Sequence, residues 1–405
     1  PKHLYEGTDV LNNPYNMKPV GTGPFKFKEY VKGDHITLER NEKYFKKGKP
    51  YLDKIVFKII LQQSAMVMAF EKGEVDHLTW QGFPDNEFAR FGTLPGIKTA
   101  TVPVPMYSII ALEFNVRNPP LSDVRVRQAM AYAIDKKEIL EKASFGIGNV
   151  AIGPIASRIT WAYNPNVPKY ELNLAMANKL LDEAGYPKGA DGIRFKTSLV
   201  YDNGRPDATK ACEITRLRLK DIGIDVLLRP TDRATYEAGV GRWEFEIFGR
   251  RGPSGPDPSI GFSYIWGKNI RKVYATNCGG YNNSRLDWLY EQALLEIDQK
   301  KRAEYYFEMQ EIAAKELPMI DLVETYNAVA FKAEFKGIPQ GAWGEEPMDG
   351  VWWTKGSEVS PEAIQSSITA AGKELEGLRG QFYDVTAAQQ QLEQAKKALE
   401  AGDYV

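Results

Sequence analysis

Histidine and cysteine are scarce in this 405-residue chain, and their scarcity removes whole classes of chemistry. The three histidines, His3, His35 and His77, lie far apart with no metal-ligand spacing, and the two cysteines, Cys212 and Cys278, form no Cys-x-x-Cys. General-base catalysis has little to draw on, and no Gly-x-Ser-x-Gly elbow occurs. Gly21-Thr22-Gly23 is followed by Pro24 and a strand pattern, which excludes a phosphate-binding loop there. Glu74 with Asp76, and Glu345 with Glu346, are explained as solvated turns. No catalytic residue, cofactor or directly ligated metal is therefore expected. A surplus of either charge is also missing. Lys plus Arg number 52 against 53 Asp plus Glu, so no global field draws nucleic acid or an acidic membrane. No apolar run reaches the ~20 residues that span a bilayer. No secretory leader opens the chain at Pro1-Lys2-His3, a condition that a mature exported protein shares. The cysteines pair in an oxidising compartment or stay free; Cys212 lies in a helical pattern and Cys278 in a loop.

What is present is ordinary for a folded protein: 43% hydrophobic and 26% charged residues, over a length that allows two or three domains. Gly21, Gly23 and Pro24 make a turn. Phe25 and Phe27, then Ile36 and Leu38, alternate as two half-buried strands joined at Lys32-Gly33-Asp34, and Val56 with 59–61 continues as a third. A short helix over 64–72 ends at Gly73, where only glycine takes a left-handed cap cheaply. Asp123 is placed to N-cap a helix whose Val126, Ala129, Met130, Ala133 and Ile134 form one apolar stripe. Asn173 caps another, closed by Gly185 and Pro187. The pattern then alternates: strand 196–201, helix 208–220, strand 224–229, a short helix near Tyr236, strand 245–250. This predicts an α/β unit with a partly parallel sheet. A helical stretch over 287–317, broken near Asp298, precedes a return strand over 319–331. Beyond 360, Ile364, Ile368, Leu375, Leu378, Phe382 and Val385 recur at three- and four-residue steps, a helix or hairpin interrupted near Gly380. It packs on the chain's own body or serves a partner contact.

Four stretches carry more than periodicity. They are 18–60, KPVGTGPFKFKEYVKGDHITLERNEKYFKKGKPYLDKIVFKII; Glu71-Lys72-Gly73-Glu74-Val75-Asp76; 112–140, LEFNVRNPPLSDVRVRQAMAYAIDKKEIL; and 153–187, GPIASRITWAYNPNVPKYELNLAMANKLLDEAGYP. Together they resemble the family 5 extracellular solute-binding proteins of ABC transporters, the dipeptide, oligopeptide and nickel type. The resemblance implies an α/β, type II periplasmic-binding-protein fold of two lobes with mixed sheets and a hinge, here with a C-terminal helical extension. It divides the chain into 1–112, the strand-rich first part of lobe I; 113–325, the α/β lobe II; 326–359, the return to lobe I; and 360–405, the extension. Hinge crossings are expected at 112–116 and 325–328. Such relatives carry a further segment before the equivalent of Pro1, so lobe I is expected to be incomplete in this sequence.

The implied function is capture of a small solute between the lobes and delivery to an ABC transporter permease. The implied location is periplasmic, or extracellular and membrane-anchored. The implied state is a monomer, with room for contacts through the C-terminal helices. Ligands of open α/β sheets sit beyond the carboxyl ends of strands, and the best such end here is Phe245-Glu246-Ile247-Phe248-Gly249-Arg250-Arg251, running into a Gly- and Pro-rich loop. Peptide-binding relatives carry a loop resembling Gly-x-x-Gly-Asp-Asn-Gly-Asp-Pro whose first aspartate pairs with the peptide ammonium. Gly249, Gly252, Gly255, Asp257 and Pro258 match it, but Pro253, with Ser254 beside it, stands at the amine-binding position. Proline gives an ammonium no counter-charge, whereas Arg250 and Arg251 suit a carboxylate. Strand alternation turns only one of them to the cleft; otherwise both are surface cations beside the hinge. A small, carboxylate-bearing organic solute is thus expected. One alternative is a peptide receptor that neutralises the ammonium elsewhere; another is a sensory or interaction module using the C-terminal helices. Asp257 is expected to cap a helix at Ser259. Further ligand contacts are implied among Trp80, Phe83, Tyr107, Trp161, Tyr264 and Trp266, and at Asn277 and Tyr281 of NCGGYN, though aromatic residues serve a core equally well.

Overall fold

The expected meander forms from β1 (Phe25–Val31), β2 (His35–Arg40) and β3 (Lys54–Lys58), paired antiparallel in chain order. The computed structural model describes residues 2–79, 83, 85–101, 108–338, 348–354, 361–379 and 386–400, with backbone alone at 361–364, 378–379, 386–387 and 398–400. The third strand begins before the expected 59–61 because its register with β2 pairs Val56 with Thr37 and Ile55 with Leu38. Helix Gln63–Glu71 follows and ends at Gly73, whose φ of +79° is the left-handed cap. It leads to β4 (His77–Leu78) and then β5 (Ile97–Thr101).

A six-stranded mixed sheet makes the larger body. It comprises β6 (Ser108–Phe114), β7 (Gly148–Val150), β8 (Phe195–Asp202), β9 (Ile224–Thr231), β10 (Ile247–Pro253) and β11 (Met319–Thr325), in the order β7-β11-β6-β10-β8-β9. β8, β9 and β10 run parallel, joined by helices Pro206–Asp221 and Arg233–Gly241 as the alternation predicted. β6 runs antiparallel to both β10 and β11. One sheet face carries Ile110, Leu112, Phe114, Leu199, Tyr201 and Ile247 into a core closed by the stripe Val126, Ala129, Met130, Ala133 and Ile134. Asp123 caps that helix by accepting from the Arg125 N–H at 2.8 Å, and Asn173 caps helix Leu174–Glu183 through Met176. Helices Ser284–Leu295 and Gln299–Glu316 are separated at Asp298, which caps the second.

The chain passes between sheets twice. β11 belongs to the six-stranded sheet, and after Tyr326-Asn327 the chain continues as β12 (Ala328–Lys332), the middle strand of β4-β12-β5. That is the crossing expected at 325–328. The other departs from expectation: residues 112–114 are mid-sheet, because β6 pairs along its whole length with β10 and β11. The first passage between the sheets therefore lies between the end of β5 at Thr101 and the start of β6 at Ser108. The crossings are neighbours: β6 and β11 pair to Ser108 and Thr325, and pairing resumes at Thr101 with Ala328. Both cysteines are free and buried, Cys212 in the sheet core and Cys278 beside Phe248 and Tyr236. The extension forms helices Pro361–Arg379 and Thr386–Glu400, which pack on each other; Ile368 is buried, and the charge of Glu374 is felt at Lys46 of the first body. Ile364, Leu378, Phe382 and Val385 lie outside the described side chains.

Met130 is fully buried at the centre of the helical stripe. Met130→Ala should lower unfolding stability by about 2–5 kcal/mol, the cost of the lost transfer energy plus a residual cavity, read as a shift of the urea midpoint at constant slope.

Candidate functional site

The carboxyl ends of β8, β10 and β11 gather at the double crossing, where polar side chains from both bodies meet. On one flank, Glu324 at the end of β11 is fully buried and accepts from Ser157 through its N–H (2.8 Å) and its hydroxyl (2.7 Å). Asn149 Nδ2 of the neighbouring strand donates to Ser157 Oγ at 3.0 Å and to the Tyr326 hydroxyl at 2.5 Å. The Arg158 guanidinium lies over the Tyr326 ring, 3.7 Å from its centroid, and its Nη2 reaches Thr101 Oγ1 of β5 at 3.5 Å. Arg158 thus spans the gap between the six-stranded sheet and the three-stranded one. Among the described residues no carboxylate comes within 4.0 Å of it. On the other flank, Arg251 pairs with Asp207 at 2.9 Å, on the first turn of helix Pro206–Asp221, and its Nη2 reaches Asn327 at 3.4 Å.

Most of the candidates singled out from the sequence lie elsewhere. Arg250 turns to the opposite sheet face from Arg251, as strand alternation requires, but it is buried there. It stacks 3.5 Å above the Tyr264 ring centroid and points Nη1 at Glu113, 3.7 Å away. Gly252 makes that fold-back possible, since a Cβ there would sit 3.0 Å from the guanidinium. Each of the two arginines that the sequence suited to a carboxylate already has an acid beside it, Glu113 for Arg250 and Asp207 for Arg251. Ser254 is buried and donates to the Pro154 carbonyl at 2.5 Å. Asn277 is a loop clasp, donating to the carbonyls of Trp266 and Tyr281 and accepting from Gly280 N–H. Tyr281 donates to Glu316 at 2.7 Å, beneath the surface. Phe83 is buried against Phe88 and Phe91. Tyr264, Trp161 and Trp266 pack into the same large apolar cluster, Trp161 edge-on to Tyr306 and Trp266 on Tyr290. Trp80 and Tyr107 lie outside the described residues. Asp257 accepts from Ser259 N–H at 2.9 Å, as expected, and also takes Arg302 bidentately.

Of the residues that meet at the crossing, Arg251 was a candidate from the sequence, whereas Arg158, Glu324, Tyr326, Asn327 and Asp207 drew no attention from periodicity. Arg158 sits in a loop with no repeating pattern. Glu324 reads as one polar position of a strand. Only the placement of that loop against β11 joins them.

Burial shifts three carboxyls of the six-stranded sheet. Burial raises Glu324 to about 7, outweighing Ser157's hydrogen bonds. It raises Glu113 to about 7 against the opposing pull of Arg250, and Asp321 to about 6. A carboxyl whose folded value lies above its unfolded one binds its proton more tightly in the fold. Its stabilising contribution is complete below the unfolded value of 4.5 for Glu324 and is lost as pH rises through about 7. Glu324→Gln should flatten the pH dependence of stability over that window by on the order of 2–3 kcal/mol, measured as urea midpoints across the series.

Three comparisons bear on this geometry. The family model for bacterial extracellular solute-binding proteins, family 5 Middle, matches residues 1–272. Heme-binding protein A of Haemophilus influenzae is 29% identical over 343 residues, covering 83% of this chain and 60% of that protein. Oligopeptide-binding protein AppA of Bacillus subtilis is 28% identical over 354 residues, covering 83% and 63%. The chain spans about three-fifths of the length of these curated relatives. Among solved structures, the putative peptide-binding protein AppA from Clostridium difficile superposes with a TM-score of 0.77 at 24% identity, covering 87% of this chain and 72% of that one. The periplasmic binding protein DppA from Helicobacter pylori, in complex with the peptide STSA, superposes at 0.68 with 29% identity, covering 84% and 64%. The two-lobed α/β fold is therefore that of the periplasmic binding proteins, and the chain belongs to the bacterial extracellular solute-binding proteins, family 5.

Proposed function

We propose that this chain is the solute-binding component of an ABC importer, working in the periplasm or tethered outside the cell, and that it captures a small carboxylate-bearing organic solute at the double crossing. The observation that carries the reading is Arg158: a half-buried guanidinium on the crossing, touching both bodies, with no carboxylate of its own within 4.0 Å among the described residues. A part-buried arginine with no carboxylate in ion-pair range is a ready partner for a carboxylate, through two parallel N–H···O bonds. Arg250 and Arg251 are positioning groups instead, each tied to its own acid. Ligands named for relatives fit this chemistry, since oligopeptides, the peptide STSA and glutathione all carry carboxylates. The chain performs no chemistry on the solute; it binds and hands over to a permease.

Two antiparallel strands side by side make a natural hinge. A ligand that touches Arg158 and Tyr326 on one side and β5 on the other gains its full contact only in the closed state, which couples affinity to shape. The permease then recognises that shape.

Native mass spectrometry of the purified protein should show a retained organic acid. Arg158→Ala should fold normally yet purify bare, or bind the eluted acid about 10–100-fold more weakly, as expected for losing a charge-assisted pair. An adduct retained equally by Arg158→Ala would overturn the assignment. Arg250→Ala should instead lower thermal stability, because it strands Glu113 without its cation.

A further inference from the structure

A cavity of about 390 Å³ lies in the larger body, away from the crossing. The crossing receives the end of β11 at Thr325; this cavity opens beside the beginning of the same strand, at Met319, Ile320 and Asp321, and beside the short edge strand β7. Its walls are largely aliphatic, with Ile134, Ile152, Leu317 and Met319 prominent. Two charged side chains of opposite sign face it, and the protein leaves both incompletely satisfied. Asp321 is only 6% exposed, yet among the described residues its carboxylate makes no hydrogen bond and no ion pair within 4.0 Å. Lys136, the first residue of helix Lys136–Ala143, donates to the Ala151 carbonyl at 2.9 Å, and among the described residues its ammonium has no other acceptor.

Charges in such surroundings cost several kcal/mol each unless they are paired and hydrogen-bonded, and native proteins rarely leave buried polar groups without partners. Lys136 and Asp321 feel each other's field but stand farther apart than an ion pair. Arg250 is the other cation near Asp321, on the same sheet face across Ala111, and its nearest acid is Glu113. At the rim, Asp135, Lys137, Lys169 and Glu171 balance two charges of each sign, so no singly charged molecule is favoured on approach. The arrangement is an acceptor and a donor held apart inside an apolar shell.

We propose that this cavity is a second ligand site, for a small zwitterion of the aliphatic amino-acid class: its carboxylate takes the free N–H groups of Lys136, its ammonium donates to Asp321, and its side chain lies among Ile134, Ile152, Leu317 and Met319. The inference does not depend on what the crossing binds. A ligand of this size fits within the cavity, whose lining does not include Arg158, so the two sites titrate separately.

The test is isothermal titration of the whole chain with L-leucine, with isovalerate, which lacks the ammonium, and with isopentylamine, which lacks the carboxylate. L-Leucine should bind at millimolar or better affinity, and each half-analogue at least about tenfold more weakly. Asp321→Asn and Lys136→Met should each weaken leucine at least about tenfold, while Arg158→Ala leaves it unchanged. No heat with leucine at about 10 mM, half-analogues as good as leucine, or loss confined to Arg158→Ala would overturn the proposal. The analogue series on unmodified protein decides the matter even where a variant does not fold.

Discussion

The pairing of β6 with β11 is the constraint on which the rest depends. These strands run antiparallel through the centre of the six-stranded sheet to Ser108 and Thr325, and the chain continues from both ends into the three-stranded sheet, where Thr101 faces Ala328. Each body is therefore tied to the other by two adjacent segments rather than one. A single link would leave the bodies free to tumble; two side by side restrict the relative motion to bending. The same pairing brings the loop bearing Ser157 and Arg158 against Glu324, so the frame that limits motion also assembles the polar site.

Charge is managed differently on the two faces of this sheet. One face is almost wholly apolar and packs on helices Val124–Ala133, Lys136–Ala143 and Pro206–Asp221. The other carries Glu113, Arg250 and Asp321 across neighbouring strands. Arg250 has a counter-ion, an aromatic platform in Tyr264 and a glycine that makes room for it. Such a group contributes to uniqueness more than to net stability, since desolvation consumes much of its Coulomb energy. Asp321 lacks those supports, and that contrast within one face marks the cavity beside it.

Local chemistry was legible wherever a residue acts on its own neighbourhood. Asp123, Asn173 and Asp298 cap the helices that their positions predicted, and Gly73 turns the chain where only glycine does so cheaply. The apolar stripe from Val126 to Ile134 is buried as its spacing required. The candidate site was much less legible. Arg250 and Arg251 were rightly placed on opposite faces, but their partners, Glu113 on β6 and Asp207 on a helix start, are 137 and 44 residues away and invisible to any pattern within the strand. Aromatic residues such as Tyr264, Tyr281 and Phe83 suited a ligand wall and a core equally, and the fold put them in the core.

The amino-acid sequence by itself determined the secondary elements, the alternating α/β order and the family, because caps, turns and periodic stripes are short-range and a family signature is carried in contiguous stretches. Tertiary structure alone decided that the chain leaves the first body before Ser108, that Arg158 has no carboxylate within 4.0 Å among the described residues, and that Asp321 faces a cavity with no ion pair among them. Those are properties of pairs distant in sequence. Whether a charge is free for a ligand depends on what the fold brings within 4 Å of it, and strand order, not local composition, settles that.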